Sequence, residues 1–535
     1  MHWSEKIAKD IIKRSPDKEE YVCAAGISPS GSIHIGNFRD IATSYFVYKA
    51  LIKQGKNARL LFSWDEFDRF RKVPVNVKEV APELENEIGK PYVDVKDPYG
   101  CCSSYAEHFE KEFEASLSRF GVKVDFRRQS ENYRSGKYAK YVIQAVQKRR
   151  EIFDILDKFR QQVATPEERE AYYPVSIYCP VCGKDETTIT SSSEDGVTCE
   201  YTCKCGHKGT WDFSKDFNCK LAWKIDWPMR WMIEGVDFEP GGKDHASPGG
   251  SYDTSKIIAK KIFGAQAPMF KGYEFVGIKG TTGKMSGSTG LNLTPDTLLK
   301  IYQPEMILWL YSKSEPNKAF DFCFDDEILR QYFEFDKMLK VYQAGKGKNY
   351  DYIEGIMHNC MIEGREIHPV PMQQIVNFGS VVDFNADMLE TVFEKIGTPY
   401  KKEEFAERLE LAKYWLEKCS PENMNTLLGY RNWDFYNTLN EVEKKEIQLL
   451  HDFIAKGEYD LDALNSFIYT IPREADPDFQ EENKKAAQAQ FFKNAYNLMI
   501  GKAAGPRLYL FLFAVEPQRY LGLLDFSTPQ TEEEK

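Results

Sequence analysis

The sequence predicts an α/β fold in two halves, split by a cysteine-bearing insertion and followed by an all-helical C-terminal part. Three observations carry that reading. Two apolar runs, Tyr21–Gly26 and Ala58–Trp64, flank a Ser/Pro/Gly turn and a helical segment, the βαβ opening of a parallel sheet. Closely spaced cysteines interrupt the pattern between about residues 95 and 220. From about residue 300 onward apolar residues recur at three- and four-residue steps, the spacing of helices with one buried face. At 535 residues the chain exceeds one core and suggests about three domains.

In chain order, the N-terminal ten residues read as an amphipathic helix with charges of both signs, not as a signal peptide. Residues 1–95 form the first half of the α/β part. The turn Ser28-Pro29-Ser30-Gly31 leads into His34-Ile35-Gly36-Asn37, which opens a helix beyond the carboxyl end of the first strand, where parallel sheets bind ligands. An imidazole and a carboxamide there stand beside free backbone N–H groups and a helix dipole that favours phosphate, and Gly36 permits close approach. Residues 96–219 form the insertion. The sheet is expected to resume with Lys220–Trp231 and run through Phe275–Ile278 to a glycine-bordered loop, Lys284-Met285-Ser286-Gly287-Ser288, within the second half, 220–300. That loop offers a lysine and hydroxyls to the charge developing on a departing pyrophosphate. In this order, the two segments point to ATP opened at its α-phosphate. Residues 301–375 read as a helical linker and 376–535 as an α-helical domain. Within it Phe405, Leu409, Ala412, Trp415 and Leu416 share a face, and 441–455, 482–500 and 507–523 behave alike.

An apolar content of 42% against 29% charged excludes a wholly disordered chain. No apolar run approaches the roughly 20 residues that span a bilayer, so the cytoplasm is the expected compartment and no membrane contact is expected. The net charge of −11 argues mildly against nucleic acid, yet Arg127–Arg150 holds eight basic residues against one acid, Glu131. That stretch reads either as a solvated helix face or as a contact for nucleic acid.

Cys179-x-x-Cys182 and Cys203-x-Cys205 offer four thiolates from two short loops, enough for a tetrahedral zinc, with Cys199 and His207 as alternative ligands. A disulfide pair is the competing reading, disfavoured in a reducing compartment. Asp97, Cys101, Cys102 and His108 form a second set, in which adjacent cysteines share a metal only across a bent backbone.

The first and second glycine-bordered segments resemble the HIGH and KMSKS signatures of class I aminoacyl-tRNA synthetases. The strings at 26–40, 62–74 (Phe-Ser-Trp-Asp-Glu-Phe-Asp-Arg-Phe-Arg-Lys-Val-Pro), 223–231 (Trp-Lys-Ile-Asp-Trp-Pro-Met-Arg-Trp), 235–245 and 505–508 narrow the resemblance to the class I lysyl-tRNA synthetases. That family implies a Rossmann-like nucleotide-binding catalytic domain, a zinc-containing insertion near the tRNA acceptor end and a C-terminal anticodon-binding α-helix cage. It implies ATP with Mg²⁺, L-lysine and tRNA(Lys) as partners, lysyl-adenylate as intermediate and transfer to a terminal ribose hydroxyl, with no obligate protein partner. His34, Asn37, Lys284 and Ser286 are then the catalytic candidates. Ser30, Gly36, Gly242, Asp244, Met285 and Ser288 join them around ATP, with Asp244 for the ribose. Lysine needs a carboxylate and aromatic faces, supplied in type by Asp65, Trp223, His245 and Tyr273; by resemblance Gly26 and Ser28 line the same pocket. Similarity to archaeal members makes the Asp97 set ligands of a second zinc. Two departures stand out: Asn37 replaces a second histidine, and Gly287-Ser288 replaces a Lys-Ser ending. Glutamyl-, cysteinyl- and arginyl-type enzymes are the nearest alternatives, and a non-catalytic synthetase-derived binding protein is a more distant one.

Overall fold

Strand β1 (Tyr21–Ile27) and strand β2 (Ala58–Trp64) pair in parallel from Tyr21↔Ala58 to Ile27↔Trp64. Both are largely apolar along their length, as strands covered on both faces must be. They are joined by the helix Ile35–Lys53, and β3 (Asp125–Arg128) extends the sheet beyond β2. Five strands of the insertion follow. β4 (Val175–Ile177) pairs with β8 (Cys219–Leu221), while β5 (Thr187–Ser192), β6 (Thr198–Cys203) and β7 (Lys208–Asp212) form an antiparallel meander. The chain then returns to the main sheet with β9 (Phe238–Gly242) and β10 (Met269–Tyr273). The final order, β10-β9-β1-β2-β3, is parallel throughout and reverses direction between β1 and β9. A crevice outside the carboxyl ends of strands opens at such a reversal.

This computed structural model describes residues 1–160, 162, 164–279 and 293–534. Lys284, Met285, Ser286 and Ser288 therefore lie outside the described residues.

Two segments differ from the sequence expectation. Lys220–Trp231 does not re-enter the main sheet: β8 ends at Leu221, and Trp223–Glu234 is a helix. The reason is the spacing of Trp223, Trp227 and Trp231, four residues apart, which places three indoles on one helical face. Pro228 sits inside that helix; the carbonyl of Lys224 accepts instead from Ser255 Oγ at 3.0 Å. Val276–Ile278 (β11) likewise leaves the main sheet and pairs with Phe320–Phe322 (β12).

The chain divides into two compact units: Met1–Leu299 with Pro304–Phe322 and Val341–Arg365, and Lys300–Gln303 with Cys323–Lys340 and Glu366–Lys535. In the first unit the insertion shares a core with the tryptophan helix, Ile177, Cys219 and Leu221 packing with Ile225 and Met229. In the second unit every named element among the described residues is helical. Lys402–Lys418, Glu441–Lys456 and Lys484–Ile500 match their predicted spans closely, whereas Leu508–Ala514 stops early because Pro517 cannot continue it. A fully buried Arg408 ties that unit together, pairing with Asp336 at 2.7 Å and donating to Gln303 and to the Val370 carbonyl.

Candidate active site

His34 is the N-cap of the helix Ile35–Lys53. Its Nδ1 accepts from the backbone N–H of Gly36 at 3.0 Å and of Asn37 at 3.3 Å. An Nδ1 that accepts fixes the ring proton on Nε2, so the imidazole presents a donor beside the positive end of the helix. Gly36 makes this possible: a Cβ there would stand 2.9 Å from His34 Cε1 and 3.0 Å from Nδ1. The same helix holds the far wall in place. Buried Arg39 donates to the carbonyls of Glu274 at 2.8 Å and Lys318 at 2.7 Å, and Tyr311 Oη donates to the Ile35 carbonyl at 2.7 Å.

Between these elements lies a cleft of 750 Å³. Its near side carries Ser28, Ser30, His34, Gly36 and Asn37, and its far side carries Gly242, Asp244, His245, Tyr273 and Phe275. Gly242 and Tyr273 are register partners on β9 and β10, which brings the far side to a sheet edge. Glycines permit the packing behind it, since a Cβ at Gly241 would meet the Phe270 ring at 2.8 Å and one at Gly272 would meet Ala246 at 2.7 Å. Burial holds the His245 imidazole below its ordinary pKa, against the opposing pull of Asp244, so the ring is neutral at pH 7.

Beneath the cleft sits Asp40, buried on the helix, with the Tyr273 hydroxyl and the backbone of Gly26 as the neighbouring groups that favour its charged form. Burial and the neighbouring Glu239 push its pKa well above the carboxylate range. Asp65 is placed otherwise. Its Oδ1 is 2.6 Å from Arg230 Nη1, and Arg230 also reaches Asp226 at 3.1 Å; Asp226 in turn meets Lys220 at 3.1 Å and Tyr133. This carboxylate is committed to a buried ion-pair network and does not line the cleft. Trp223 stacks on Trp227 with centroids 5.0 Å apart, and its buried Nε1 has no hydrogen-bond partner among the described residues.

Two clusters can each hold a metal ion, their ligand atoms lying within 4.8 Å of one another. In the first, Cys179 and Cys205 Sγ are 3.8 Å apart and Cys182 and Cys203 Sγ 3.6 Å. A tetrahedron with metal–sulfur bonds of about 2.3 Å has edges of about 3.8 Å, so four thiolates fit zinc. Cys199 instead lies buried in the core around Trp211, and His207 contributes its carbonyl, to Cys203 N–H. In the second, Cys101 Sγ lies 3.2 Å from His108 Nδ1, which is 3.3 Å from Asp97 Oδ1. The backbone bend that adjacent cysteines need is supplied by Asp97, which accepts N–H groups from Tyr99, Cys101 and Cys102.

Most basic residues of the stretch 127–150 pair with acids, largely remote in sequence. Arg127 pairs with Asp125 and Glu234, Arg128 with Glu110 and Glu114, Arg134 with Asp94, Lys137 with Glu234, and Arg149 and Arg150 with Glu170.

Residues 1–362 match the model of the family "tRNA synthetases class I (K)". The chain belongs to that family. It is 37% identical over 524 residues to a lysine–tRNA ligase of Thermococcus kodakarensis, covering 96% of this chain and 97% of that one. It is 35% identical over 532 residues to a lysine–tRNA ligase of Pyrococcus furiosus, covering 96% and 98%. Among solved structures, a glutamate tRNA ligase from Elizabethkingia meningosepticum aligns over 95% of this chain and 98% of that one, with 11% identity and a TM-score of 0.45; family membership stands on the sequence relatives alone.

Within this class I synthetase fold, the sequence-predicted residues Ser28, Ser30, His34, Gly36, Asn37, Gly242, Asp244, His245 and Tyr273 meet at one cleft. Gly26 lies behind it, close-packed against the Ser63 carbonyl. Asp40 went unnoticed in the sequence, although it lies six residues after His34 and so within two turns of the same helix. Among the described residues, no helix is long and apolar enough to cross a membrane.

Proposed function

We propose that this protein is a class I lysine–tRNA ligase, which activates L-lysine with ATP to lysyl-adenylate and transfers the lysyl group to the terminal adenosine of tRNA(Lys). The observation that carries the reading is the meeting, at one cleft, of a histidine-capped helix N-terminus with the Gly242–His245 strand end, in a chain of this family. The helix N-terminus, His34 Nε2–H and Asn37 receive the phosphates, and the Asp244 carboxylate accepts from the ribose hydroxyls. The lysine carboxylate attacks the α-phosphate, and pyrophosphate leaves. The protein contributes alignment and charge neutralisation and no covalent step. Lys284 and Ser286 complete the phosphate site from the opposite side, with Met285 and Ser288 beside them; Mg²⁺ arrives with ATP.

For the substrate ammonium we assign Asp40 in place of Asp65. Arg230 already satisfies Asp65, whereas Asp40 has the neutral Tyr273 hydroxyl beside it and its charged form gains from a cation. Tyr273 positions it, and Trp223 and His245 flank the stem, with Gly26 and Ser28 at the backbone end. Asp65 then acts through Arg230 as a brace of the pocket. We further propose zinc in both cysteine clusters, where it supplies structural cross-linking of the insertion. Residues 96–219 serve the acceptor end, 301–375 link, and 376–535 bind the anticodon; the cytoplasm is the expected compartment. Lys284→Ala tests the reading. Lysine-dependent ATP–pyrophosphate exchange should fall by orders of magnitude with thermal stability unchanged, and full exchange in that variant would refute the assignment.

A further inference from the structure

Beside the main cleft lies a recess of 310 Å³ that meets it at Ser28, Ser30 and Lys72, with Asp68, Arg71 and Tyr92 in its remaining wall. Its charges are unevenly satisfied. Asp68 pairs with Lys220 at 2.9 Å and accepts from Ser28 Oγ at 3.2 Å. Arg69 pairs with Asp185 at 2.5 Å. Arg71 and Lys72 are both exposed, and no ion pair engages either of them among the described residues. Two cations thus stand over the recess with their charge uncompensated. The backbone that carries them is held by its neighbours. Phe70 N–H donates to the Lys90 carbonyl at 2.7 Å, Gly89 N–H to the Phe70 carbonyl at 3.0 Å, and Tyr92 N–H to the Asp68 carbonyl at 3.1 Å. Asp185 N–H donates to the Gly89 carbonyl at 2.8 Å, which ties this wall to the cysteine loop of the insertion.

We propose that this recess binds a phosphate of the single-stranded 3′ end of the tRNA, with Arg71 and Lys72 supplying the charge as the terminal ribose enters the cleft past Ser28 and Ser30. The inference rests on the functional reading above and locates one of its contacts. Three considerations select a nucleic-acid phosphate over those of ATP. The helix N-terminus already offers ATP its anion site. The second step requires a phosphate-bearing strand to reach the cleft from outside. The basic stretch 127–150 has most of its cations already engaged in ion pairs and so has less charge to give.

The test uses the full-length, zinc-loaded protein with Arg71→Glu, Arg71→Lys and Lys72→Ala. For Arg71→Glu the KM for tRNA should rise about tenfold or more, and the salt dependence of kcat/KM for tRNA should flatten by about one phosphate contact. Arg71→Lys should restore most of both, since the phosphate contact needs charge. Lysine-dependent ATP–pyrophosphate exchange in Arg71→Glu should stay within about twofold of wild type. An unchanged KM for tRNA would overturn the proposal. A matching rise in the KM for ATP during exchange, in Arg71→Glu or Lys72→Ala, would also overturn it by assigning the charges to ATP. Wild-type protein that charges no tRNA would instead defeat the functional reading itself, a distinguishable failure.

Discussion

Gly36→Ala separates stability from catalysis more sharply than any other substitution in the cleft. The new Cβ would stand 2.9 and 3.0 Å from the His34 ring, closer than side chains tolerate, and the movable partner is the imidazole. Rotating it away loses a cap that accepts two backbone N–H groups, costing about 0.5–2 kcal/mol. Against this, alanine in place of glycine within a helix returns about 1 kcal/mol. The terms nearly cancel, so the urea midpoint and Tm should barely move. Catalysis has no such compensation, because the displaced ring no longer presents Nε2–H to the phosphates. Loss of one preorganised donor to developing charge costs about 3–4 kcal/mol, so exchange should fall ~10²–10³-fold. Urea unfolding and ATP–pyrophosphate exchange on the same preparation measure both quantities. Wild-type exchange in the variant, or a stability loss large enough to account for the lost activity, would refute the reasoning.

Three further outcomes are expected. Asp40→Asn and Tyr273→Phe should raise the KM for lysine in exchange, the former about a hundredfold, with the KM for ATP nearly unchanged; equal losses for both ligands would point to a disturbed fold. Metal analysis should return two zinc ions per chain, with Cys182→Ser removing one and His108→Ala the other independently, and a wild-type content of zero or one would remove the corresponding site. In the helical unit, burial with Glu443 and Asp476 nearby pushes Glu446 up to about 8. A carboxyl whose folded pKa is raised contributes stability below its unfolded value near 4.5 and loses it as pH rises toward 8. Glu446→Gln should therefore gain stability over wild type progressively between pH 5 and 8, and a pH-independent difference in urea unfolding would contradict this.

What the sequence revealed was local chemistry, and what it hid was pairing across the fold. His34-Ile35-Gly36-Asn37 is readable because capping and phosphate binding act within a few residues, although Gly36 matters to its own histidine as well as to a ligand. The four thiolates are readable because knuckle spacing dictates the site. The partner of Asp65 is hidden from a sequence reading because Arg230 lies 165 residues away. The ion pairs of the basic stretch are hidden for the same reason, the acids that meet it being spread from Asp94 to Glu234. The tryptophan string departs from the strand expectation because its four-residue period is helical, a signal present in the sequence itself.

The central claim is that one cleft activates lysine with ATP, and amino-acid-dependent ATP–pyrophosphate exchange across all twenty amino acids tests it most directly. Exchange with lysine should lie far above that with every other amino acid. Exchange with none, or with glutamate, arginine or cysteine in preference to lysine, would contradict it.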